Sequence, residues 1–436
     1  MTWCKIACSF FISAGLTTAA IAAAPAQYVI SISVDGMGSS YMQALADSNH
    51  LPNMKRIQSE GAGTNNARND FDYTITLPNH TGMVTGRAVL GTAGAGPKIA
   101  SHNWTGNGDP AAGQTLATNK GSYIASVFDV AHDHRQRTGM WASKSKFSLF
   151  VTSYDAAQGQ PDVTRPDNGR NKLDLSFING NTADMTTNFI SAMADDASRV
   201  NYAFVHYNDP DAAGHGSGWG GDVYIKALIK ADTQIGRILD VVDQTPALKG
   251  KTAIILTTDH GGSGRDHSNN KLALDYTIPF YVWGAGITHG DLYAMNSTIR
   301  LAPATGLAQS DGASLDRPDY APALQPIRNS DLGNLSLTLL GLPPIPGSSI
   351  NARQDLTVSA PPATTQPAAA NPAGFEIIVL PDTQNYVKIA GANLLDAQIK
   401  WIVENKSAAN IVFVAHEGDL TDDGGDTTQR HRQPAQ

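Results

Sequence analysis

The apolar run Thr252-Ala-Ile-Ile-Leu-Thr257 ends almost directly in two side chains of metal-ligand type, Asp259 and His260. Its β-branched content and the turn signals around it predict a buried strand. A carboxylate and an imidazole at a strand's C-terminal tip stand where open α/β sheets bind their ligands. Gly261, Gly262 and Gly264 follow, and they let the backbone turn tightly enough for His267 to come back to the same point. The alternative is a surface loop with incidental histidines. The rest of the chain weighs against it.

The same arrangement recurs. Tyr28-Val-Ile-Ser-Ile-Ser-Val34 reads as a strand running into Asp35-Gly-Met-Gly38, although an Asp-Gly turn also forms for local reasons. Tyr202–Tyr207 reads as another buried strand and leads to Asp211 and His215, four apart on a glycine-containing turn. A surface salt link would explain that pair alone, but the repeat of Asp259/His260 points to a shared site. A strand over Thr138–Ser143 delivers Lys144-Ser-Lys146. In Asp72–Gly86, Pro78 suits the first turn of a helix, with Thr76 at its start. Thr76 then either caps that helix or stands where free N–H groups and the helix dipole favour a bound phosphate or sulfate. Residues 222–242 form a helix with Tyr224, Leu228, Ala231, Ile235, Ile238, Leu239 and Val242 on one face. Ile278–Trp283 is a further strand and Asp331–Leu342 a last helix. Strands alternating with helices predict an α/β fold, a three-layer α/β/α sandwich.

A chain of 436 residues has room for two or three domains. Its net charge of −8 argues against a nucleic acid polymer as partner. Residues 1–26 read as a secretory signal, with Lys5, an apolar Ile6–Ile21 core and the small-residue stretch Ala22–Ala26. That core is short and rich in Ala and Thr, which disfavours a transmembrane anchor, so export to the periplasm or beyond is expected, without a stable membrane anchor after cleavage. Both cysteines, Cys4 and Cys8, lie inside this segment. The mature chain therefore has no disulfide, no thiol chemistry and no cysteine-ligated zinc.

The strand tips thus collect Asp35, Asp211, His215, Asp259, His260 and His267. Three carboxylates and three imidazoles without sulfur suit two zinc ions, with manganese or iron as alternatives. Two metals about 4 Å apart clamp the attacking and leaving oxygens of an in-line displacement, the apparatus of phosphoryl transfer.

Val34-Asp-Gly, Thr76-Leu-Pro-Asn-His with Thr85-Gly, Asp211-x-x-Gly-His215 and Thr258-Asp-His-Gly together resemble the motifs of the alkaline phosphatase superfamily. Over Tyr28–Val358 the chain is most similar to its type I phosphodiesterase/nucleotide pyrophosphatase branch. The resemblance implies one zinc held by Asp35, Asp259, His260 and the Thr76 hydroxyl, and a second held by Asp211, His215 and a third histidine. In that branch the third histidine lies far beyond the Asp-His pair, but here no histidine occurs between Gly290 and Val414. The choice is His267 or His289, and His267 in its glycine bend fits other members of the superfamily. Thr76 is implied as the nucleophile that forms a covalent phosphothreonine. Asn103 is the candidate for the polar group that steadies the non-bridging oxygens.

Lys144-Ser-Lys146 resembles the Lys-x-Arg pair of superfamily phosphomonoesterases with a threonine nucleophile; the alternative is two lysines on a solvated loop. The Thr-Leu-Pro-Asn-His motif places diesters or nucleotide pyrophosphates first among small-molecule phosphate ester substrates. A phosphomonoesterase and a catalytically silent metal-binding protein of the same fold are the alternatives. Sulfatases share the fold but need a cysteine or serine for formylglycine, which Thr76 cannot supply.

Residues 359–373 form a Pro/Ala linker without core-forming side chains. Beyond it, 374–436 reads as two strands flanking a helix near Leu394–Glu404. This piece resembles the start of a calcineurin-like metallophosphoesterase domain, with Asp382 and Asp419 in its first two metal motifs and Gln384 where many members have histidine. The later motifs are absent, so a truncated domain without its own activity is expected.

Overall fold

Strand β1 (Tyr28–Val34) has six of its seven residues buried, so both faces of the sheet around it must be covered. The computed structural model describes residues 25–91, 99–162, 169–305, 315–359, 376–380, 394–406 and 411–416. With β2 (Ala62–Arg68), β3 (Thr138–Ala142), β4 (Leu175–Ile178), β5 (Tyr202–Tyr207), β6 (Thr252–Thr257), β7 (Thr277–Gly284) and β8 (Gly290–Asp291), β1 forms an eight-stranded sheet. The order is β4-β3-β5-β1-β6-β7-β2-β8. Strands β4, β3, β5, β1 and β6 run parallel; β7 is antiparallel to both β6 and β2, which restores the original direction in β2.

Alternation along each strand feeds two separate cores. One face gathers Val29, Phe204, Ile255 and Phe280 against the helix Leu332–Leu339. The other gathers Ile30, Ile32, Val205, Leu256 and Tyr281 against the helix Asp222–Gln244. That makes the three layers expected from the sequence. All seven apolar residues expected on one face of the long helix are buried. Each such leucine or isoleucine contributes about 1.5–3 kcal/mol over an exposed position.

The last helix is shorter than the sequence pattern suggests. It opens as a 3₁₀ turn, Asn329–Asp331, and the α-helix ends at Leu339. Strand β2, Ala-Gly-Thr-Asn-Asn-Ala-Arg, has too little apolar content to be read as a strand; its register with β7 shifts between Thr64 and Ala67. Among the described residues no helix is long and apolar enough to cross a membrane.

Compactness separates Met1–Ala360 from Pro361–Gln436. Within the second unit β9 (Glu376–Leu380) and β10 (Ile411–His416) pair in parallel, with the helix Leu394–Asn405 between them in sequence. The expected strand-helix-strand order is therefore present. Asp382, Gln384 and Asp419 lie outside the described residues, as does the segment 1–24.

The apolar clusters of the first unit draw only on residues 26–358. A chain ending at Ala360 is expected to keep the main thermal transition within about 2 °C, the shift that a change of roughly 1.5 kcal/mol would produce in a unit of this size. A drop of several degrees on calorimetry would show that the second unit helps to hold the first.

Candidate active site

Five strands running in one direction bring their C-terminal ends to one edge of the sheet, and each exit carries a polar side chain. Strand β1 runs into Asp35, β3 into Ser143 and Lys144, and β6 into Thr258, Asp259 and His260. Strand β5 leads into the helix Asp209–Ser217, which carries Asp211 and His215. Strand β2 leads through Asn69 and Asp70 to the helix Thr76–Thr85. The sequence reading put Asp211 and His215 on a turn. The structure puts them one helical turn apart, with Pro210 in the first turn where its missing N–H is harmless.

The three carboxylates share one pattern: one oxygen is tied down and the other is free. Asp35 Oδ2 faces Lys144 Nζ at 2.7 Å and His206 Nε2 at 2.9 Å. Asp211 Oδ2 accepts from Lys144 Nζ at 2.6 Å. Asp259 Oδ1 accepts from the backbone N–H of Gly36 and of His260, at 3.2 and 3.0 Å. The opposite oxygens, Asp35 Oδ1, Asp211 Oδ1 and Asp259 Oδ2, are buried and have no hydrogen-bond partner. Burial opposes the charge on Asp35, yet Lys144 and His206 hold its carboxyl well below the usual range. On Asp211 burial and the neighbouring Asp35 prevail, and its pKa is raised.

The three imidazoles share a pattern too. His260 Nδ1 is 2.8 Å from the Gly261 carbonyl, His267 Nδ1 is 2.7 Å from that of Thr74, and His215 Nδ1 is 3.1 Å from that of Arg265. A carbonyl only accepts, so each Nδ1 carries the proton and each neutral ring presents its Nε2 lone pair. His215 Nε2 and His267 Nε2 then face each other across 3.1 Å. His260 Nε2 lies 3.1 Å from Asp259 Oδ2 and 3.4 Å from Asp35 Oδ1. Lone pairs so placed repel unless a cation lies among them. Burial disfavours a charge on His260, but Asp259, Asp35 and Asp211 raise its pKa to about 9. Burial, with His260 beside it, lowers His267 to about 3.

The donor atoms fall into two overlapping groups, Asp35/Asp259/His260 and Asp211/His260/His267, each spanning no more than 4.8 Å. Oxygen and imidazole donors with orphaned buried atoms fit two divalent cations. His215 Nε2, 3.4 Å from Asp211 Oδ1, extends the second group. His289 does not reach it: its Nδ1 bonds the Gly61 carbonyl at 3.1 Å, beside β8.

Thr76 is buried at the first position of its helix, where Ile75 is the N-cap and no side chain caps. It is therefore not a capping residue. The hydroxyl lies 3.5 Å from Lys144 Nζ. The helix N-terminus is less open to an anion than expected, because the Leu77 N–H donates to Asn107 Oδ1 at 2.9 Å and Pro78 has no N–H. Lys144 is not on a solvated loop. Burial works against its charge, but Asp35, Asp211 and Asp259 more than offset that and raise its pKa, so it is a fixed cation and no base for Thr76. Lys146, half-buried, reaches Asn107 Oδ1 at 3.3 Å.

Asn103 is a correction. It sits exposed at φ 59° with its Oδ1 accepting from Ser101 Oγ at 2.6 Å. The amide that reaches the threonine helix is Asn107, four residues on, whose only sequence signal is a glycine on each side. Two supporting histidines were also missed. His206 holds Asp35, and its signal was an ionisable residue inside a buried strand. His80, inside the quoted threonine motif, contacts the Thr76 carbonyl through Nδ1 and Ser33 Oγ through Nε2, both at 2.8 Å.

With Lys144 replaced, Asp35 and Asp211 face each other without a counter-charge. Lys144→Met should cost the metal-free protein about 3–5 kcal/mol, the scale for breaking a buried ion pair. Added divalent cation should recover most of that loss. Unchanged stability on chemical denaturation would contradict the bridging role.

No curated protein matches the chain in sequence. Among solved structures, murine ectonucleotide pyrophosphatase/phosphodiesterase 5, an inactive variant in complex with AMP, is 18% identical with a TM-score of 0.39, covering 54% of this chain and 57% of that one. The chain thus spans little more than half the length of that protein. An alkaline phosphatase superfamily protein from Vibrio parahaemolyticus is 12% identical, TM-score 0.43, covering 73% and 68%. A protein assigned as a sulfatase, yidJ from Bacteroides fragilis, is 14% identical, TM-score 0.44, covering 76% and 78%. Residues 29–298 match the family described as type I phosphodiesterase / nucleotide pyrophosphatase, and the chain belongs to that family.

Proposed function

We propose that the chain is a divalent-metal-dependent hydrolase of phosphoric diesters or nucleotide pyrophosphates, with zinc as the first choice of metal and manganese or iron as alternatives. The observation that carries this is the convergence of free carboxylate oxygens and Nε2 lone pairs beside the buried Thr76 hydroxyl. Asp35, Asp259 and His260, with the Thr76 hydroxyl, would hold one ion; Asp211, His267 and His215 would hold the other. Ions held there would supply Lewis acidity, drawing charge from the phosphoryl oxygens and favouring ionisation of a neighbouring hydroxyl.

In this reading Thr76 Oγ attacks phosphorus, its proton leaves to solvent, and the phosphorus bond to the departing alcohol or nucleotide oxygen breaks. The resulting phosphothreonine ester, which keeps the substrate's other organic group, is then attacked by water, which restores the hydroxyl and releases that group as its phosphate monoester. The helix holds Thr76 in place, and His80 fixes that turn through the Thr76 carbonyl. Lys144 offers positive charge beside the attacking oxygen. Asn107 takes the role expected of Asn103, steadying a non-bridging oxygen together with Lys146. A phosphomonoesterase is the second reading, favoured by one observation: the part-buried Lys144 ammonium lies 3.5 Å from the Thr76 hydroxyl.

Thr76→Ala should keep the fold and lower turnover of bis(p-nitrophenyl) phosphate roughly 10⁴-fold or more, the scale of losing a nucleophile. Thr76→Ser should retain a measurable part. Acid quenching during turnover of bis(p-nitrophenyl) phosphate should leave a p-nitrophenyl phosphoryl group on Thr76, detected by peptide mass spectrometry. An alanine variant as active as the parent would sink the covalent mechanism. A preference of orders of magnitude for p-nitrophenyl phosphate would move the assignment to the second reading.

A further inference from the structure

Trp219 belongs to none of the motifs above, yet it touches each chain segment that carries an aspartate or histidine of the ligand set. Its indole Nε1–H donates to the Gly36 carbonyl at 2.9 Å, one residue from Asp35. Its backbone N–H donates to the Gly264 carbonyl at 2.8 Å, in the bend that leads to His267. Its ring lies against Gly214, the residue before His215, and against Gly262, two beyond His260. A Cβ on Gly214 would come within 2.5 Å of the ring, and one on Gly262 would collide with it as well. Only glycine leaves room for the indole at both places. The ring meets His215 at 5.2 Å and 81°, and His267 at 5.7 Å and 65°.

The two imidazoles need such support. Their Nε2 lone pairs oppose each other at 3.1 Å, and the His215 side chain is 46% exposed near the end of a helix that stops at Ser217. A single Nδ1 bond to Arg265 leaves that ring free to rotate about the bond. His267 is better held, because His260 stacks on it at 3.5 Å and 7°. The indole edge supplies the remaining constraint on both. Ligand rings held in the binding orientation before the ion arrives spare it the cost of ordering them.

We propose that Trp219 is a positioning residue that holds His215 and His267 with their Nε2 atoms converged, and so sets the affinity of the centre on its Asp211 side. This rests on the reading of the cluster as a metal centre. The effect is selective, because Asp35 and Asp259 keep their tethers to Lys144, His206 and the His260 N–H, and Tyr224 Oη also donates to the Gly36 carbonyl at 2.9 Å.

The test uses the full chain, stripped of metal and titrated with Zn²⁺ by calorimetry, as parent, Trp219→Ala and Trp219→Phe. In Trp219→Ala one ion should bind about 10–100-fold more weakly, the scale for losing an outer-shell partner, while the other keeps its parental affinity. Trp219→Phe retains a ring edge without the N–H and should fall between. Co²⁺ should quench part of the parental tryptophan emission, and that component should vanish in Trp219→Phe, a proximity readout that does not require the alanine variant to fold. Parental affinity for both ions in Trp219→Ala, or equal weakening of both, would overturn the proposal alone. A parent that binds no ion would overturn it together with the functional reading.

Discussion

Three buried carboxylates converge at one end of the sheet, and the part-buried ammonium of Lys144 bridges two of them, Asp35 and Asp211. This surplus of negative charge and lone pairs is the constraint on which the rest of the site depends. Lys144 and His206 relieve only part of it, because Asp35 Oδ1, Asp211 Oδ1 and Asp259 Oδ2 stay buried without a hydrogen-bond partner. Asp259 Oδ1 is taken by backbone N–H groups, and the Nδ1 of His260, His267 and His215 by backbone carbonyls. A cation bound there would find its donors already oriented. Such an ion would bind only the folded chain, and so would stabilise the fold while completing the proposed site.

The sheet order makes this crowding possible. Strands β5, β1 and β6 are neighbours in parallel register, about 4.8 Å apart. Their exits therefore set Asp211, Asp35 and Asp259 side by side, although more than two hundred residues of sequence separate the first strand from the last. The antiparallel β7 is what allows β2 to run the same way and deliver the threonine helix from the other flank. Apolar burial on both faces fixes the strands, and the strands fix the acids. The helices contribute the adjustable parts: Thr76 at the start of one and the Asp211/His215 pair on another.

Much of this was legible in the sequence because it rests on short-range pattern. Buried strands announce themselves by β-branched runs, and polar residues at their ends are conspicuous. The face of the helix Asp222–Gln244 follows from spacing alone. What escaped notice depends on where loops travel. Asn103 and Asn107 are equivalent by local signal, and only the path after β2 and the threonine helix decides which amide meets Leu77. Asp209–Ser217 contains two glycines and a proline, so it read as a turn; tertiary packing overrides that propensity. Lys144 read equally as solvated or functional, because its partners come from strands distant in sequence. Trp219 carried no signal at all, since its role is visible only as the space left by Gly214 and Gly262.

The account's central claim is that the ligand set is Asp35, Asp259 and His260 on one side and Asp211, His215 and His267 on the other. Metal analysis of the purified chain, with His267→Ala and His289→Ala beside it, tests this most directly. The parent should hold close to two transition-metal ions per chain, His267→Ala close to one, and His289→Ala as many as the parent. A parent with only trace metal, or a His289 variant depleted while the His267 variant is full, would contradict it.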